Sequence, residues 1–287
     1  MAVKSDSRIA ILMATYNGEK YLSQQIDSIL RQTYTDWHLF VHDDGSCDNT
    51  ADILNHYVAS DPGKITILSY PPQGGACNNF MSMMRHVEAD YYMFADQDDV
   101  WIPEKIEISM DAMVSAEGEV RKEPCPIVVH SDLSVVDAAL RETHSSLWQY
   151  MDIYPGFVQS FHDCVICYVT GCTMLFNRDA RDLSLMKPHT KATMHDSWIV
   201  GCCHAAGGKV IGIPTKTVLY RQHDNNTLGA VAASRLTLMY RLRNFLTMQR
   251  TNWTILSMLR SIAPFSLRQF ISAKIRYKRY ITEHKTL

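Results

Sequence analysis

The chain lacks any run that approaches the roughly 18 consecutive apolar residues needed by a membrane-spanning helix, so a transmembrane anchor is not expected. The polar segment 1–8 also lacks the long apolar stretch and small-residue cleavage site of a secretory signal. We therefore expect the protein to stay in the cytoplasm. Low-complexity tracts and fixed-period repeats are missing too, and 46% apolar with 20% charged residues is typical of a folded globular protein.

Eight cysteines are present, but their placement favours neither disulfides nor zinc. Cys164 and Cys167 form a C-x-x-C pair, and Cys202-Cys203-His204 lies further along, so a zinc ligand set is one interpretation. Both groups lie inside apolar or helix-like stretches, where a reduced cysteine behaves as a small buried hydrophobe. We favour buried thiols, and without a secretory signal we do not expect disulfides.

Acidic residues are almost missing from the C-terminal segment. From residue 231 onward there are eleven lysines and arginines and a single acid, Glu283, whereas the preceding chain is net acidic. Helices with a solvated basic face that pack on the main domain are one interpretation, and attraction to anionic lipid headgroups is the other. Nucleic-acid binding is not expected, because stacking aromatics in a recognisable motif are missing.

Short apolar runs alternate with helix-like segments in the first third of the chain. The strand-like runs are 9–13, 37–41, 65–69 and 91–95, and the helix-like segments between them are 20–31, 49–59 and 78–88. Such alternation predicts an α/β fold with a doubly wound, mostly parallel sheet.

Polar clusters follow three of these strands. Tyr16 and Asn17 follow the first strand, Asp43 and Asp44 the second, and the cluster 96–99 the fourth. Ligands bind outside the carboxyl ends of strands in such sheets, so the three loops should converge on one crevice. Three carboxylates within four residues repel one another unless a cation compensates, which favours a hard ion such as Mg²⁺ or Mn²⁺.

Four motifs in this region resemble the nucleotide-binding half of family 2 glycosyltransferases with the A-type fold. They are Ala-Thr-Tyr-Asn-Gly at 14–18, Gln-Thr-Tyr at 32–34, Asp-Asp-Gly-Ser-Cys-Asp-Asn-Thr at 43–50 and Asp-Gln-Asp-Asp-Val-Trp at 96–101. The later motifs Gly-Cys-Thr-Met at 171–174, Met-His-Asp-Ser-Trp at 194–198 and Tyr-Arg-Gln-His at 220–223 resemble the acceptor half, particularly of bacterial polysaccharide rhamnosyltransferases. The resemblance implies a transferase domain over 1–229, with a donor half at 8–105 and an acceptor half at 106–229, followed by a basic helical tail at 230–287.

The resemblance also assigns donor and metal contacts. Tyr16 would stack on the donor base, Asp44 would accept a hydrogen bond from that base, and Asp43 would hold the ribose side; a turn or cap role remains the alternative for Asp44. The full set of implied donor contacts is Thr15, Tyr16, Asn17, Asp43, Asp44, Asp96, Gln97 and Arg221. The implied Mg²⁺ or Mn²⁺ ligands are Asp98, Asp96 and His223, and Asp99 would either join them or cap the helix near Pro103.

For the catalytic base the resemblance points to Asp196, which would take the proton of the acceptor hydroxyl. His195 is the neighbouring alternative, and an N-cap of the helix-like segment 197–206 is the structural one. Arg221 offers a cation for the donor phosphates, and His223 would reach the diphosphate or the metal. The segment 77–80 lacks the basic residue that many relatives carry there.

The resemblance implies an inverting, metal-dependent glycosyltransferase of bacterial cell-surface polysaccharide synthesis, and among donors it favours dTDP-rhamnose, with a saccharide or lipid-linked saccharide as the acceptor. A UDP-hexose or UDP-N-acetylhexosamine donor is the alternative. The Gln-x-x-Arg-Trp signature of processive members is missing, which favours single additions. Two different classes stay open: a sugar nucleotidyltransferase, although a glycine-rich phosphate loop is missing, and a non-catalytic carbohydrate-binding scaffold.

Overall fold

The computed structural model describes residues 3–5, 7–120, 124–223 and 245–284. Its strands are β1 (Val3–Lys4), β2 (Ile9–Thr15), β3 (Trp37–Asp43), β4 (Ile65–Ile67), β5 (Val87–Glu88), β6 (Tyr91–Asp96), β7 (Val100–Trp101), β8 (Ile127–Val136), β9 (Glu142–His144), β10 (Met174–Asn177) and β11 (Lys209–Arg221). Its α-helices are α1 (Leu22–Leu30), α2 (Thr50–Ser60), α3 (Ala76–His86), α4 (Lys105–Gly118), α5 (Leu147–Met151), α6 (Arg178–Leu185), α7 (His195–Ala205), α8 (Phe245–Ile262) and α9 (Leu267–His284).

Within the described residues, nine strands form one mixed sheet in which parallel pairing dominates the N-terminal half. The strand order is β4-β3-β2-β6-β10-β8-β11-β7, with β9 paired to β8. Strands β4, β3, β2 and β6 run parallel, and β10 is inserted antiparallel between β6 and β8. The predicted α/β fold with a mostly parallel sheet is confirmed.

The sheet is buried on both faces because its central strands are apolar throughout. Alternate residues of β2 point to opposite sides, so Leu12 packs in the cluster that contains Phe80 of α3, whereas Ile11 packs in the cluster that contains Ile26 of α1. Helices α1 and α4 cover one face, and α3 and α7 cover the other. This arrangement leaves the carboxyl ends of β2, β3 and β6 free to carry side chains into a common space.

The two halves predicted from the sequence contribute strands to this same sheet, and their division stays a prediction. The predicted boundary at residue 229 lies outside the described residues. Beyond it, α8 buries Leu256 and Leu259 in the cluster that holds Trp198 of α7, so α8 packs on the main domain. None of the described helices has the length and apolarity to cross a membrane.

The cysteine prediction holds in part. Cys164, Cys202 and Cys203 are buried as expected, but Cys167 is exposed, so its inclusion among the buried thiols is wrong. Burial raises the pKa of the Cys202 thiol to about 12, which keeps it protonated at neutral pH. The cysteines are free rather than joined in disulfides.

Candidate active site

A cleft of about 1240 Å³ opens at the carboxyl ends of the parallel strands. Most of the residues singled out in the sequence line it, namely Thr15, Tyr16, Asn17, Asp44, Asp96, Gln97, Asp98, His195, Asp196 and His223. Asp43 and Arg221 do not line it. The structure therefore brings together three of the four N-terminal motifs and all three later motifs, the first of which begins 70 residues after the end of the 96–101 motif.

The loops after β2 and β3 are joined by side-chain hydrogen bonds. Thr15 Oγ1 donates to Asp43 Oδ1 at 2.9 Å, and the Asp43 carboxylate also accepts from the N–H of Ser46 at 2.9 Å. Asn17 adopts a left-handed φ of 48°, and its Oδ1 accepts from the N–H of Cys47 at 2.8 Å. Thr15, Asn17 and Asp43 thus hold the shape of the two loops.

Gln97, which lies in the loop after β6, fixes the backbone of Tyr16 in the loop after β2. Its Oε1 accepts from the Tyr16 N–H at 2.9 Å, and its Nε2 donates to the Tyr16 carbonyl at 3.0 Å. A Cβ on Gly18 would lie 2.4 Å from Gln97 Oε1, so only glycine leaves room for this amide. The Tyr16 ring, 57% exposed at the cleft wall, is thereby presented on a constrained backbone.

The Asp44 carboxylate organises the loop that precedes α3. It accepts backbone N–H bonds from Gln73, from Gly74 at 3.3 Å and from Gly75 at 2.8 Å. Gly74 and Gly75 both have positive φ angles, which favour glycine. Asp44 therefore stabilises a turn, as the alternative interpretation expected. That turn lies in the loop before α3, however, and not in the loop that carries Asp44.

Asp98 and His223 meet at one side of the cleft. His223 Nε2 lies 2.8 Å from Asp98 Oδ2, and both side chains are mostly buried, at 15% and 17% exposure. Asp98 lies two residues after the end of β6 and His223 two residues after the end of β11, so their contact joins two segments that are far apart in the sequence. A carboxylate oxygen and an imidazole nitrogen are ligands that Mn²⁺ and related divalent ions bind, and here the two lie close enough together to share one ion.

Negative charge accumulates beside this pair. Burial, together with the charges of Asp98 and Asp196, raises the pKa of Asp96 to about 7. A bound divalent cation would relieve that repulsion, so the residues present fit a metal. Within the part of the chain that the structure describes, one group of three donor atoms lies within 4.8 Å of one another, and it consists of Asp96, Asp99 and Cys172.

That group is a poorer candidate for a hard cation. Burial and the neighbouring carboxylates raise the pKa of the Cys172 thiol well above its usual value, so the sulfur is neutral. Asp99 is completely buried, its Oδ1 accepts from the Arg221 N–H at 3.1 Å, and the N-cap of α4 is Glu104. The alternative in which Asp99 caps that helix is therefore wrong.

Arg221 is buried beneath the cleft. Its guanidinium donates to the carbonyls of Asp98 and Ala138, both at 2.7 Å, and to Gln24 Oε1 at 2.6 Å. It also lies 4.4 Å from the centre of the Tyr21 ring. These contacts tie β11 to the 96–99 loop and so place His223 beside Asp98.

Asp196 faces the cleft from the first turn of α7. The helix begins at His195 and its N-cap is Met194, so the alternative in which Asp196 is the N-cap is wrong. One carboxylate oxygen accepts from the N–H of Ser197, and the other accepts from the N–H of Gly171 at 3.1 Å. The Asp196 carboxylate is thus oriented by two backbone donors on different segments.

His195 packs with its ring against Phe80 and Phe94, at centroid distances of 4.4 and 4.6 Å. Burial lowers its pKa, so the imidazole is neutral. A Cβ on Gly171 would lie 2.5 Å from His195 Nε2. The interaction of Gly171 with both His195 and Asp196 was missed in the sequence, because a glycine that permits a close approach carries no local pattern.

Comparisons with known proteins identify relatives of the chain. The family model for glycosyl transferase family 2 matches residues 10–121. The dTDP-rhamnosyl transferase RfbG of Shigella flexneri is 30% identical over 223 residues, which cover 76% of this chain and 74% of the relative. The UDP-Glc:alpha-D-GlcNAc-diphosphoundecaprenol beta-1,3-glucosyltransferase WfgD of Escherichia coli is 33% identical over 38% of this chain and 42% of the relative.

Solved structures share the fold. S. aureus TarS superposes with a TM-score of 0.57 at 13% identity over 96% of this chain, which spans 55% of the TarS chain. The mannosyltransferase PcManGT from Pyrobaculum calidifontis, solved with GDP-Man and Mn²⁺, gives a TM-score of 0.53 at 15% identity over 96% of this chain and 83% of its own.

Proposed function

The chain belongs to glycosyltransferase family 2 and is a glycosyltransferase that uses a nucleotide-sugar donor, and we propose that it transfers rhamnose from dTDP-rhamnose with inversion. The 30% identity with RfbG, over most of both chains, supports rhamnose. The name of WfgD supports the UDP-hexose alternative over a shorter match. We place the reaction in cell-surface polysaccharide synthesis, with a saccharide or lipid-linked saccharide as acceptor.

The observation that carries the catalytic proposal is the placement of Asp196 and the Asp98–His223 pair around one cleft. Asp98 and His223 would hold a divalent cation, with Asp96 beside them. Bound there, Mg²⁺ or Mn²⁺ would neutralise the negative charge that develops on the diphosphate leaving group. Lys20 is the one lysine or arginine among the described residues that line the cleft, so the chain itself supplies little positive charge for that purpose.

Donor recognition falls to the loops after β2 and β3. The exposed Tyr16 ring offers a flat apolar surface for stacking on the nucleotide base. Asp44 lies in the same cleft, and its carboxylate still has acceptor capacity for a base N–H beside its three backbone donors. Gln97, Thr15, Asn17 and Asp43 act as positioning residues that fix these two groups.

Transfer then requires one proton acceptor. The Asp196 carboxylate takes the proton of the acceptor hydroxyl as its oxygen attacks the anomeric carbon. The bond between that carbon and the diphosphate oxygen breaks, and the nucleoside diphosphate leaves. Because the hydroxyl displaces the diphosphate directly from the opposite face, the anomeric configuration is inverted. The two backbone N–H donors that hold Asp196 orient it for this step.

Two substitutions test the assignment. Asp196→Asn should keep nucleotide binding, measured by calorimetry, but lower turnover by at least about 100-fold, the contribution typical of a positioned base. Asp98→Ala should abolish the stimulation of turnover by Mn²⁺. Asp137→Asn is the matched control, since Asp137 also lines the cleft but bonds within its own turn. An Asp196→Asn enzyme with wild-type turnover would overturn the base assignment.

The alternative classes make different products. A sugar nucleotidyltransferase would form pyrophosphate and a scaffold would form no product, whereas a transferase releases the nucleoside diphosphate. Family membership and the placement of Asp98, His223 and Asp196 around one cleft support the transferase. A peripheral position at the inner face of the membrane is part of the proposal, because a lipid-linked acceptor would lie there.

A further inference from the structure

The outer face of α9 carries three exposed apolar side chains in line. Leu267, Ile271 and Ile275 are 42%, 49% and 64% exposed, and their spacing of four residues places them along one stripe, which we call the α9 ridge. Such a stripe on a helix is normally buried against another element. Trp253 of α8 is also 57% exposed, and tryptophan is favoured at membrane interfaces.

The opposite face of α9 is anchored to the protein. Phe270 and Ala273 are buried, and the Tyr277 hydroxyl donates to the carbonyl of Asp152 at 2.7 Å. Arg276 pairs with Asp163 at 2.6 Å. The orientation of the helix is therefore fixed by its packing, so the exposure of the ridge follows from the fold.

Cations border the ridge. Arg268, Lys278 and Arg279 are exposed on the same helix. Arg279 pairs with Glu283 at 3.4 Å, and this glutamate is the single acid from residue 231 to the end of the sequence, so the helix keeps an excess of positive charge. We propose that the α9 ridge and its bordering cations form a docking surface for an anionic lipid bilayer. The isoleucines would enter the boundary between headgroups and acyl chains, and the cations would pair with lipid phosphates.

Charge argues against a second copy of the chain as the occupant. An interface between two identical ridges would bring Arg268, Lys278 and Arg279 of each copy together, and like charges across an interface are destabilising. The ridge is also only one side chain wide, whereas stable protein interfaces bury about 800 Å² per partner. A bilayer needs no shape complementarity and supplies the opposite charge.

The location of this surface suits a lipid-linked acceptor, and this step rests on the proposed function, whose peripheral position at the membrane it deepens. Helix α8 contacts the segment before Asp196, since Thr193 Oγ1 donates to Met258 Sδ at 3.3 Å. The helix pair α8–α9 is thus attached to the segment that carries the proposed base. Membrane docking through α9 would hold the acceptor side of the cleft near the lipid surface.

Vesicle binding of the full chain tests the proposal without requiring activity. Truncation is unsuitable, because it would remove Leu256 and Leu259 from the core. The double variant Ile271→Ser/Ile275→Ser should lower partitioning onto phosphatidylglycerol-containing vesicles by about 100-fold, because each isoleucine would bury about 60 Å² of apolar surface in the bilayer. Lys278→Gln/Arg279→Gln should lower it by about 30-fold, since each cation near the surface contributes about 1 kcal/mol.

Matched controls separate docking from unspecific adsorption. Val114→Ser/Met186→Ser removes apolar side chains that are 55% and 79% exposed elsewhere, and Arg31→Gln/Lys4→Gln removes two exposed cations. Both controls should bind vesicles as the wild type does, and the ridge variants should keep wild-type turnover on a soluble acceptor. The proposal would be overturned if the ridge variants bound vesicles as well as the control variants do, or if the wild type bound purely zwitterionic vesicles as well as anionic ones. It would also be overturned if the wild type were a dimer and the ridge variants were monomers.

Discussion

Gln97 and Gly18 form a pair whose coupling can be measured. The Gln97 amide makes two hydrogen bonds to the Tyr16 backbone, and Gly18 leaves the space in which its Oε1 lies. Two hydrogen bonds between neutral groups contribute about 2 kcal/mol in total. If Tyr16 must be held in place to bind the nucleotide, Gln97→Ala raises the dissociation constant of the nucleoside diphosphate by about 30-fold.

Gly18→Ala should weaken binding by a similar factor through the same interaction. Its methyl group would lie 2.4 Å from Gln97 Oε1, so the amide has to leave and both hydrogen bonds to Tyr16 are lost. In the Gln97→Ala background the space is already free, and the added methyl group costs little. The double variant should therefore bind about 30-fold more weakly than the wild type, not the roughly 1000-fold expected for independent sites.

Isothermal titration calorimetry with the nucleoside diphosphate, paired with thermal unfolding of each variant, measures this coupling. Gln159→Ala is the control, because the Gln159 amide makes a single bond to the Gly156 carbonyl and does not line the cleft. An additive double variant, or wild-type affinity in Gln97→Ala, would refute the role of Gln97 in presenting Tyr16.

Two further substitutions probe the acceptor side and the core. Gly171→Ala should push His195 and displace Asp196, lowering turnover by about 100-fold while nucleotide affinity stays within about twofold; Gly63→Ala, where nothing lies within 4 Å, is its control, and wild-type turnover would contradict the reasoning. Burial lowers the pKa of His130 from 6.5 to about 3, so its contribution to stability is present above pH 6.5 and is lost as the pH falls. Between pH 7 and pH 5, the free energy of unfolding measured in urea should fall by about 2 kcal/mol more in the wild type than in His130→Phe. Equal losses in the two proteins would contradict this reasoning. His56→Phe, at an exposed position, is the control.

The parallel half of the sheet could be predicted because its signals are local. The apolar runs 9–13, 37–41, 65–69 and 91–95 each coincide with an observed strand, and the segments between them contain α1, α2 and α3. Buried parallel strands are continuously apolar, so each run stands out in the sequence. The convergence of the loops after them follows from the parallel arrangement.

The insertion of β10 could not be predicted. This four-residue strand pairs antiparallel with both β6 and β8, and its partners lie about 80 and 45 residues earlier in the chain. Pairing over such separations leaves no trace in local periodicity. The helix-like segment predicted from the sequence starts at residue 197, whereas α7 starts at His195. The N-cap of α7, Met194, makes no side-chain hydrogen bond, so no typical capping residue marks this boundary in the sequence.

The functional residues also divide into those that local motifs could identify and those whose positions depend on distant contacts. Asp44, Asp98 and Asp196 could be identified because their motifs resemble those of the family, and the structure places all three in the cleft. The buried position of Arg221 could not be anticipated, because it depends on carbonyl acceptors from two distant loops. Charge alone predicted a phosphate contact, whereas the contacts indicate a positioning role.

The most direct test of the central claim is the release of nucleoside diphosphate from a panel of dTDP-, UDP- and GDP-sugars, with Mn²⁺, with Mg²⁺ and with a chelator. We expect dTDP to be released from dTDP-rhamnose in the presence of a saccharide acceptor, and this release should depend on the divalent cation. Formation of pyrophosphate instead, or no nucleoside diphosphate from any donor together with no donor binding by calorimetry, would contradict it.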